Sequence, residues 1–145
     1  MNQPQNKPQG KPQSSEPYPP EQVHRAIREG GRALVELAER VGGQVKNQGL
    51  TTNQIRNVYG LVKQMEMRMK AAQRQDSAWN WQHELAMLKP KMAYAAARAS
   101  GRGAEILAQV LSRAIDEVGS DASKFARFVD LFEAILAYHK AAGGR

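Results

Sequence analysis

The sequence contains no cysteine, which excludes disulfide bonds, thiolate metal sites and a cysteine nucleophile. It also lacks any apolar run of about eighteen residues, the length a helix needs to span a membrane. Its N-terminus has no apolar core of the kind found in secretory signals. We therefore expect a cytoplasmic protein with no membrane partner.

Residues 1–20 lack Leu, Ile, Val and Phe but contain six of the chain's seven prolines and four glutamines. A segment of this composition buries too little apolar surface to offset the entropy lost on folding. We therefore predict a flexible, proline- and glutamine-rich tail over residues 1–20. Residues 21–145 are enough for one modest core, and we assign them to a single helical domain.

The charge of the chain is strongly basic. The formal net charge is +7, and the tail contributes +1 of it through Lys7, Lys11 and Glu16, so the domain carries the other +6. A basic balance favours polyanionic partners, with nucleic acid first and an anionic membrane surface second.

Apolar residues beyond the tail recur with the spacing of α-helices, and no stretch alternates as a β-strand would. We therefore predict an all-α fold, a compact bundle of about five helices joined by short loops. The first helix begins near Pro20 and is weakened or bent at Gly30–Gly31, and residues 42–49 follow it as a loop. The second helix opens with a capping box formed by Thr51 and Gln54.

The last three helices are separated by glycine and serine signals. The third covers about residues 79–99, where Pro90 either kinks the helix or starts a new one, because proline lacks an N–H and clashes with the preceding turn. The fourth covers about residues 104–119. The fifth begins at a capping Ser120 or Asp121.

The second helix has two separate faces. Its apolar face spans about 80° of arc at roughly 100° per residue: Ile55, Val58, Val62, Met65, Met69 and Ala72. A basic face of about 40° lies well away from it: Arg56, Lys63, Lys70 and Arg74. An ordinary surface helix intersperses Glu to pair its Lys and Arg, but only Glu66 is available here. We therefore expect this basic face to be nearly unpaired. On the third helix, Lys91, Arg98 and Arg102 share one side.

Two patterns begin like active-site motifs but are incomplete. His83–Met87 starts like a helical zinc-protease motif, whose second histidine is replaced here by Met87. Gly101–Ile106 is a glycine-rich turn before a helix, without the strand and the Gly-Lys-Ser/Thr of a nucleotide-binding loop. The acidic residues are scattered over polar faces and form no paired frame. We therefore expect no enzymatic activity, no metal and no cofactor.

Three longer stretches stand out: LTTNQIRNVYGLV at 50–62, LKPKMAYAAARA at 88–99 and FARFVDLFEAILAYHKAAGG at 125–144. In this order they resemble the small subunit of the type III-A (Csm) CRISPR effector complex. That family has a threonine-capped T-x-x-Q-I-R-N helix, a middle L-K-x-K-x-A-Y-x-x-x-R helix and a final aromatic helix with a Gly-Gly end. The resemblance covers about residues 48–144. The matching positions are Thr51, Gln54, Ile55, Arg56, Asn57, Leu88, Lys89, Lys91, Ala93, Tyr94, Arg98, Phe128, Glu133, Ala134, Ala137, Tyr138, Lys140, Gly143 and Gly144.

The resemblance implies a prokaryotic, cytoplasmic, non-catalytic protein of five or six helices that takes part in antiviral defence. Several copies are expected to stack head to tail beside the guide RNA–target RNA duplex, with the backbone subunits and the large subunit as further partners. The basic face is then a track for phosphates, because paired RNA presents its backbone rather than readable bases. We expect Tyr94 to lie in the core. The predicted RNA-binding residues are Arg56, Lys63, Lys70, Arg74, Lys91 and Arg98.

Two other functions fit the same residues. A stand-alone helical protein that binds DNA or RNA would have useful affinity in isolation, whereas the resemblance implies weak binding alone. A purely structural spacer subunit would use the basic face to contact neighbouring proteins instead of RNA.

Overall fold

The structure is a computed structural model that describes residues 17–75 and 79–145, without the side chains of residues 73–75. Six helices make up most of these residues. These described residues contain no β-strand, so the all-α prediction is confirmed, and the predicted count of about five is one helix short. None of the described helices is long and apolar enough to cross a membrane. The helices are α1 (Pro20–Glu29), α2 (Gly31–Asn47), α3 (Thr52–Gln75), α4 (Trp81–Arg98), α5 (Gly103–Val118) and α6 (Ala122–Ala141).

The sixth helix arises because the predicted first helix is divided at Gly30. This residue has φ 65° and ψ −150°, a conformation that side-chain-bearing residues rarely adopt, so the chain turns between α1 and α2. Arg127 of α6 fixes the turn: its guanidinium donates to the carbonyl oxygen of Ile27 at 3.2 Å and to that of Arg28. Carbonyls in the last turn of a helix lack intrahelical partners, so Arg127 acts as the C-terminal cap of α1.

The predicted loop at residues 42–49 is wrong over most of its length, because α2 continues to Asn47. Gly42 lies where α2 crosses α6. A Cβ built on Gly42 would come within 2.7 Å of the Tyr138 Cβ and 2.8 Å of the His139 backbone nitrogen. Glycine here allows two helices to approach closely and does not break the helix.

The helix starts agree better with the sequence. The capping box is confirmed: the Thr51 N–H donates to the Gln54 Oε1 at 2.9 Å, and the Gln54 N–H donates to the Thr51 Oγ1 at 3.2 Å. Asp121 rather than Ser120 caps α6, accepting from the Ser123 N–H at 2.9 Å. Pro90 lies inside the continuous α4 and therefore does not start a new helix.

The core lies mainly between α2, α5 and α6, with α1, α3 and α4 packed around them. Tyr18 belongs to this core although the prediction placed it in the tail. Its side chain is only 8% exposed, its hydroxyl donates to the Gln44 Oε1 at 2.6 Å, and the Arg40 guanidinium lies over its ring. Tyr18 therefore packs against the helical domain. The predicted flexible tail otherwise falls on residues 1–16, which lie outside the described residues.

Candidate nucleic-acid interface

The predicted basic face of α3 is open to solvent at two of its three described positions. Arg56 and Lys70 are exposed, and neither makes an ion pair with any residue in the described part of the chain. The side chain of Arg74 lies outside the described residues. Two cations of this face are thus available to an external partner, and their contact with RNA remains a prediction.

Lys63, the third described position of the face, is engaged within the protein. Its Nζ lies 2.6 Å from the Glu66 Oε1, and this hydrogen bond raises the pKa of Lys63. The same ammonium lies 5.9 Å from the centre of the Tyr59 ring. Glu66 was the one acid that the sequence made available to this face, and Lys63 is the residue that it pairs with.

Helix α6 adds further carboxylates beside the middle of α3. Burial, followed by the charges of Glu133 and Glu66, raises the pKa of Asp130. Burial, followed by the charge of Glu133, raises the pKa of Tyr59 as well. Like charges raise a carboxyl pKa when they share one part of the surface, and the Tyr59 ring packs against Phe132 of α6 with 5.4 Å between the ring centres. The surface around Lys63 therefore has mixed sign, and the sequence missed this because the extra acids come from another helix.

The second predicted group, on α4, is exposed as its spacing suggested. Lys91 and Arg98 both face solvent. Tyr94 lies between them and is 65% exposed, so its predicted place in the core is wrong. The Arg98 guanidinium stands 5.5 Å from the centre of the Tyr94 ring and donates to its hydroxyl at 3.3 Å. The sequence contained a sign of this exposure. Tyr94 follows buried Leu85 by nine residues, which at about 100° per residue places the two on opposite sides of the helix.

Arg56 and Arg98 approach the same end of the bundle, because Arg56 is one turn into α3 and Arg98 ends α4. At this end the α2–α3 connection, the α4–α5 connection and the residues after α6 are joined by hydrogen bonds. The bonds are Gly103 N–H to Gln48 O at 3.1 Å, His139 Nε2 to Leu50 O at 2.7 Å, and Thr52 N–H to Arg145 O at 3.0 Å. Lys63 and Lys70 lie progressively farther from this end along α3, and Lys91 lies about two turns from it along α4.

No metal centre is formed by the residues that the structure describes, since no group of three or more His, Asp or Glu converges. The three histidines have different surroundings. His24 is bonded to Glu117 at 2.8 Å, His139 is buried against Leu50, and His83 is exposed in the first turn of α4.

These features define a small all-helical protein with exposed cations on α3 and α4. The chain matches the Csm2 Type III-A family over residues 28–145, and it belongs to that family. It is therefore a small subunit of the type III-A CRISPR (Csm) effector complex, as its motifs suggested, and it shares that complex with other subunits. The match also includes α2, which lies before all three resembling stretches. Comparison with curated proteins and with solved structures gives no match.

Proposed function

We propose that this subunit is non-catalytic and holds the guide RNA–target RNA duplex in the cytoplasmic effector complex through the phosphates of the RNA. Several copies stack head to tail along the complex, against the backbone subunits and the large subunit. The observation that carries the proposal is the exposure of Arg56 and Lys70, two cations on one helix without a carboxylate partner among the described residues.

The geometry of α3 suits a phosphate backbone. Arg56 and Lys70 are fourteen residues apart, which is about 21 Å along the helix axis. One helix therefore offers two separate contact points on the same side. Arg56 also lies near the N-terminus of α3, where the helix dipole favours anions. Lys63, between them, is shared with Glu66 and contributes less.

The chemistry of the contact explains why no base-reading groups are needed. Contacts to phosphates position an RNA but carry no sequence information directly. A complex that accepts many guides requires this property, because its target sequences change with the guide. The engagement of Glu117 and Asp116 with lysines inside the protein also supports a binding role over a catalytic one.

The test replaces Arg56 and Lys70 with Ala and measures target-RNA capture by the assembled complex at several salt concentrations. Each lost phosphate contact flattens the slope of log affinity against log salt concentration by about 0.7–0.9. The slope for the double variant should therefore be flatter than that of the wild type by about 1.4–1.8. The loss should be the same for unrelated guide–target pairs. The matched control replaces exposed Arg25 and Arg32, which lie near the α1–α2 turn, and should leave the slope unchanged.

The two competing functions give different results in the same assay. A spacer subunit predicts that the Arg56→Ala/Lys70→Ala complex captures RNA like the wild type at every salt concentration. A stand-alone binder predicts that the isolated chain already binds RNA as tightly as the complex does.

A further inference from the structure

One end of the bundle is free of acidic residues in its connections. Residues 46–56, 98–103 and 139–145 meet there through the three hydrogen bonds described above. Together these segments contain no Asp or Glu. They carry the basic residues Lys46, Arg56, Arg98, Arg102, Lys140 and Arg145. We call this surface the basic end.

The basic end brings together segments from different helices. A Cβ on Gly143 would lie 3.8 Å from the Lys46 Nζ, which places the last turn of α2 against the segment that follows α6. Lys140 and Arg145, on either side of Gly143, are exposed. None of these three cations has an ion-pair partner in the described part of the chain, whereas Arg102 is shared with Glu105 at 3.4 Å.

The contrast with the middle of α3 shows which surface suits an anion. Around Lys63, the carboxylates of Glu66, Asp130 and Glu133 cancel much of the positive field. At the basic end, cations without an ion-pair partner among the described residues share a surface that lacks Asp and Glu, and such a surface attracts a polyanion. Fold and charge together therefore select the basic end over the long face of α3.

We infer that the basic end is the main phosphate-binding surface of this subunit, and that Lys46 and Lys140 contact the RNA backbone there together with Arg56. This inference rests on the proposed RNA-holding function. The RNA then crosses the end of the bundle at Arg56, and Lys70 is a secondary contact farther along α3.

A second copy of the chain is the competing occupant, since the opposite end contains acids. Three of those acids, near the start of α6, are already engaged within the protein. Asp116 pairs with Lys89, Glu117 accepts from Lys124 at 2.6 Å, and Asp121 accepts backbone hydrogen bonds at the start of α6. Phosphates, which have no such partners, therefore fit the basic end better than the carboxylates of a neighbouring copy.

The test compares effector complexes containing the wild-type chain, the Lys46→Gln/Lys140→Gln variant or the Arg25→Gln/Arg32→Gln control. Affinity for a labelled target RNA complementary to the guide is measured between 50 and 300 mM salt, with sedimentation to count the copies incorporated. Loss of two contacts should weaken binding roughly 10- to 30-fold at about 150 mM salt and flatten the log–log slope by about 1.4–1.8. The control should behave like the wild type, and all three chains should melt at similar temperatures and incorporate equally.

Three outcomes would overturn the inference in distinguishable ways. Unchanged affinity for the lysine variant, with a loss for Lys70→Ala, refutes the basic end alone and leaves the proposed function in place. Failure of the lysine variant to incorporate shows that this end binds a protein, such as a second copy. If a complex lacking the chain captures target as well as the full complex, the proposed function itself is wrong.

Discussion

Gly42 and Gly43 are neighbours in α2 with opposite surroundings, and replacing each by alanine tests the crossing of α2 and α6. At Gly42 a Cβ would meet the Tyr138 Cβ at 2.7 Å, the His139 nitrogen at 2.8 Å and the Ile135 oxygen at 2.9 Å. At Gly43 no atom lies within 4 Å of the added methyl group. We expect the two substitutions to change stability in opposite directions.

The magnitudes follow from two competing effects. Alanine inside a helix is about 0.5–1 kcal/mol more favourable than glycine, which is the whole effect at Gly43. Overpacking a core costs about 1–3 kcal/mol, and Gly42 should lie at the upper end because two of its three contacts are backbone atoms that cannot rotate away. The net loss for Gly42→Ala is therefore about 2 kcal/mol.

Thermal unfolding followed by circular dichroism converts these energies into melting temperatures. An unfolding entropy of about 2.1 cal/mol/K per residue over roughly 125 residues makes 1 kcal/mol worth about 4 °C. Gly42→Ala should lower the melting temperature by about 8 °C, and Gly43→Ala should raise it by about 2–4 °C. Equal shifts for the two variants would show that α2 and α6 do not cross closely at Gly42, and would refute the packing described here.

Three further predictions concern stability. Arg127→Ala should lower the free energy of unfolding, measured in urea, by about 1–3 kcal/mol because it leaves the last carbonyls of α1 unpaired. The control Arg25→Ala, at an exposed position, should change it by no more than about 0.5 kcal/mol. Equal effects of the two substitutions would contradict the capping role of Arg127. Burial opposes the charge of Glu117, but hydrogen bonds from Lys124 and His24 prevail and lower its pKa. A carboxyl group with a lowered pKa stabilises the folded protein at pH values above its ordinary pKa of 4.5, and this stabilisation is lost as the pH falls through the pKa of the folded state. The difference in unfolding free energy between the wild type and Glu117→Gln should therefore be present at neutral pH and shrink in acid. A difference that grows in acid would contradict the lowered pKa. Tyr18→Phe should lower the free energy of unfolding by about 1 kcal/mol, and Tyr18→Ala should lower it by about 2–4 kcal/mol. A wild-type melting temperature for Tyr18→Ala would show that Tyr18 does not pack on the core.

The sequence predicts local features of this fold well. The capping box at Thr51 and Gln54 and the cap at Asp121 depend on side chains that bond within one helical turn, so three or four residues determine them. Glycine pairs are harder, because the same dipeptide serves two purposes. At Gly30 a positive φ divides a helix, whereas at Gly42 a close crossing maintains one, and only the position of α6 distinguishes them.

The candidate site shows the same division between local and tertiary information. Helical spacing predicts the exposure of Arg56 and Lys70, since it depends on α3 alone. The neutralising acids around Lys63 come partly from α6, and the gathering of Lys46 and Lys140 at one end depends on how three connections meet. A reading of one helix at a time therefore finds the cations but not the surface that they form.

Arg56 should face RNA in the assembled complex, and site-specific photocrosslinking can detect that contact. A benzophenone-bearing residue at position 56 is compared with the same residue at exposed position Glu36, near the α1–α2 turn. After irradiation of the complex with labelled guide and target RNA, position 56 should crosslink to RNA for several unrelated guides, and position 36 should not. Crosslinks from position 56 to protein alone, in a complex that still captures its target, would contradict the account and assign this surface to a spacer.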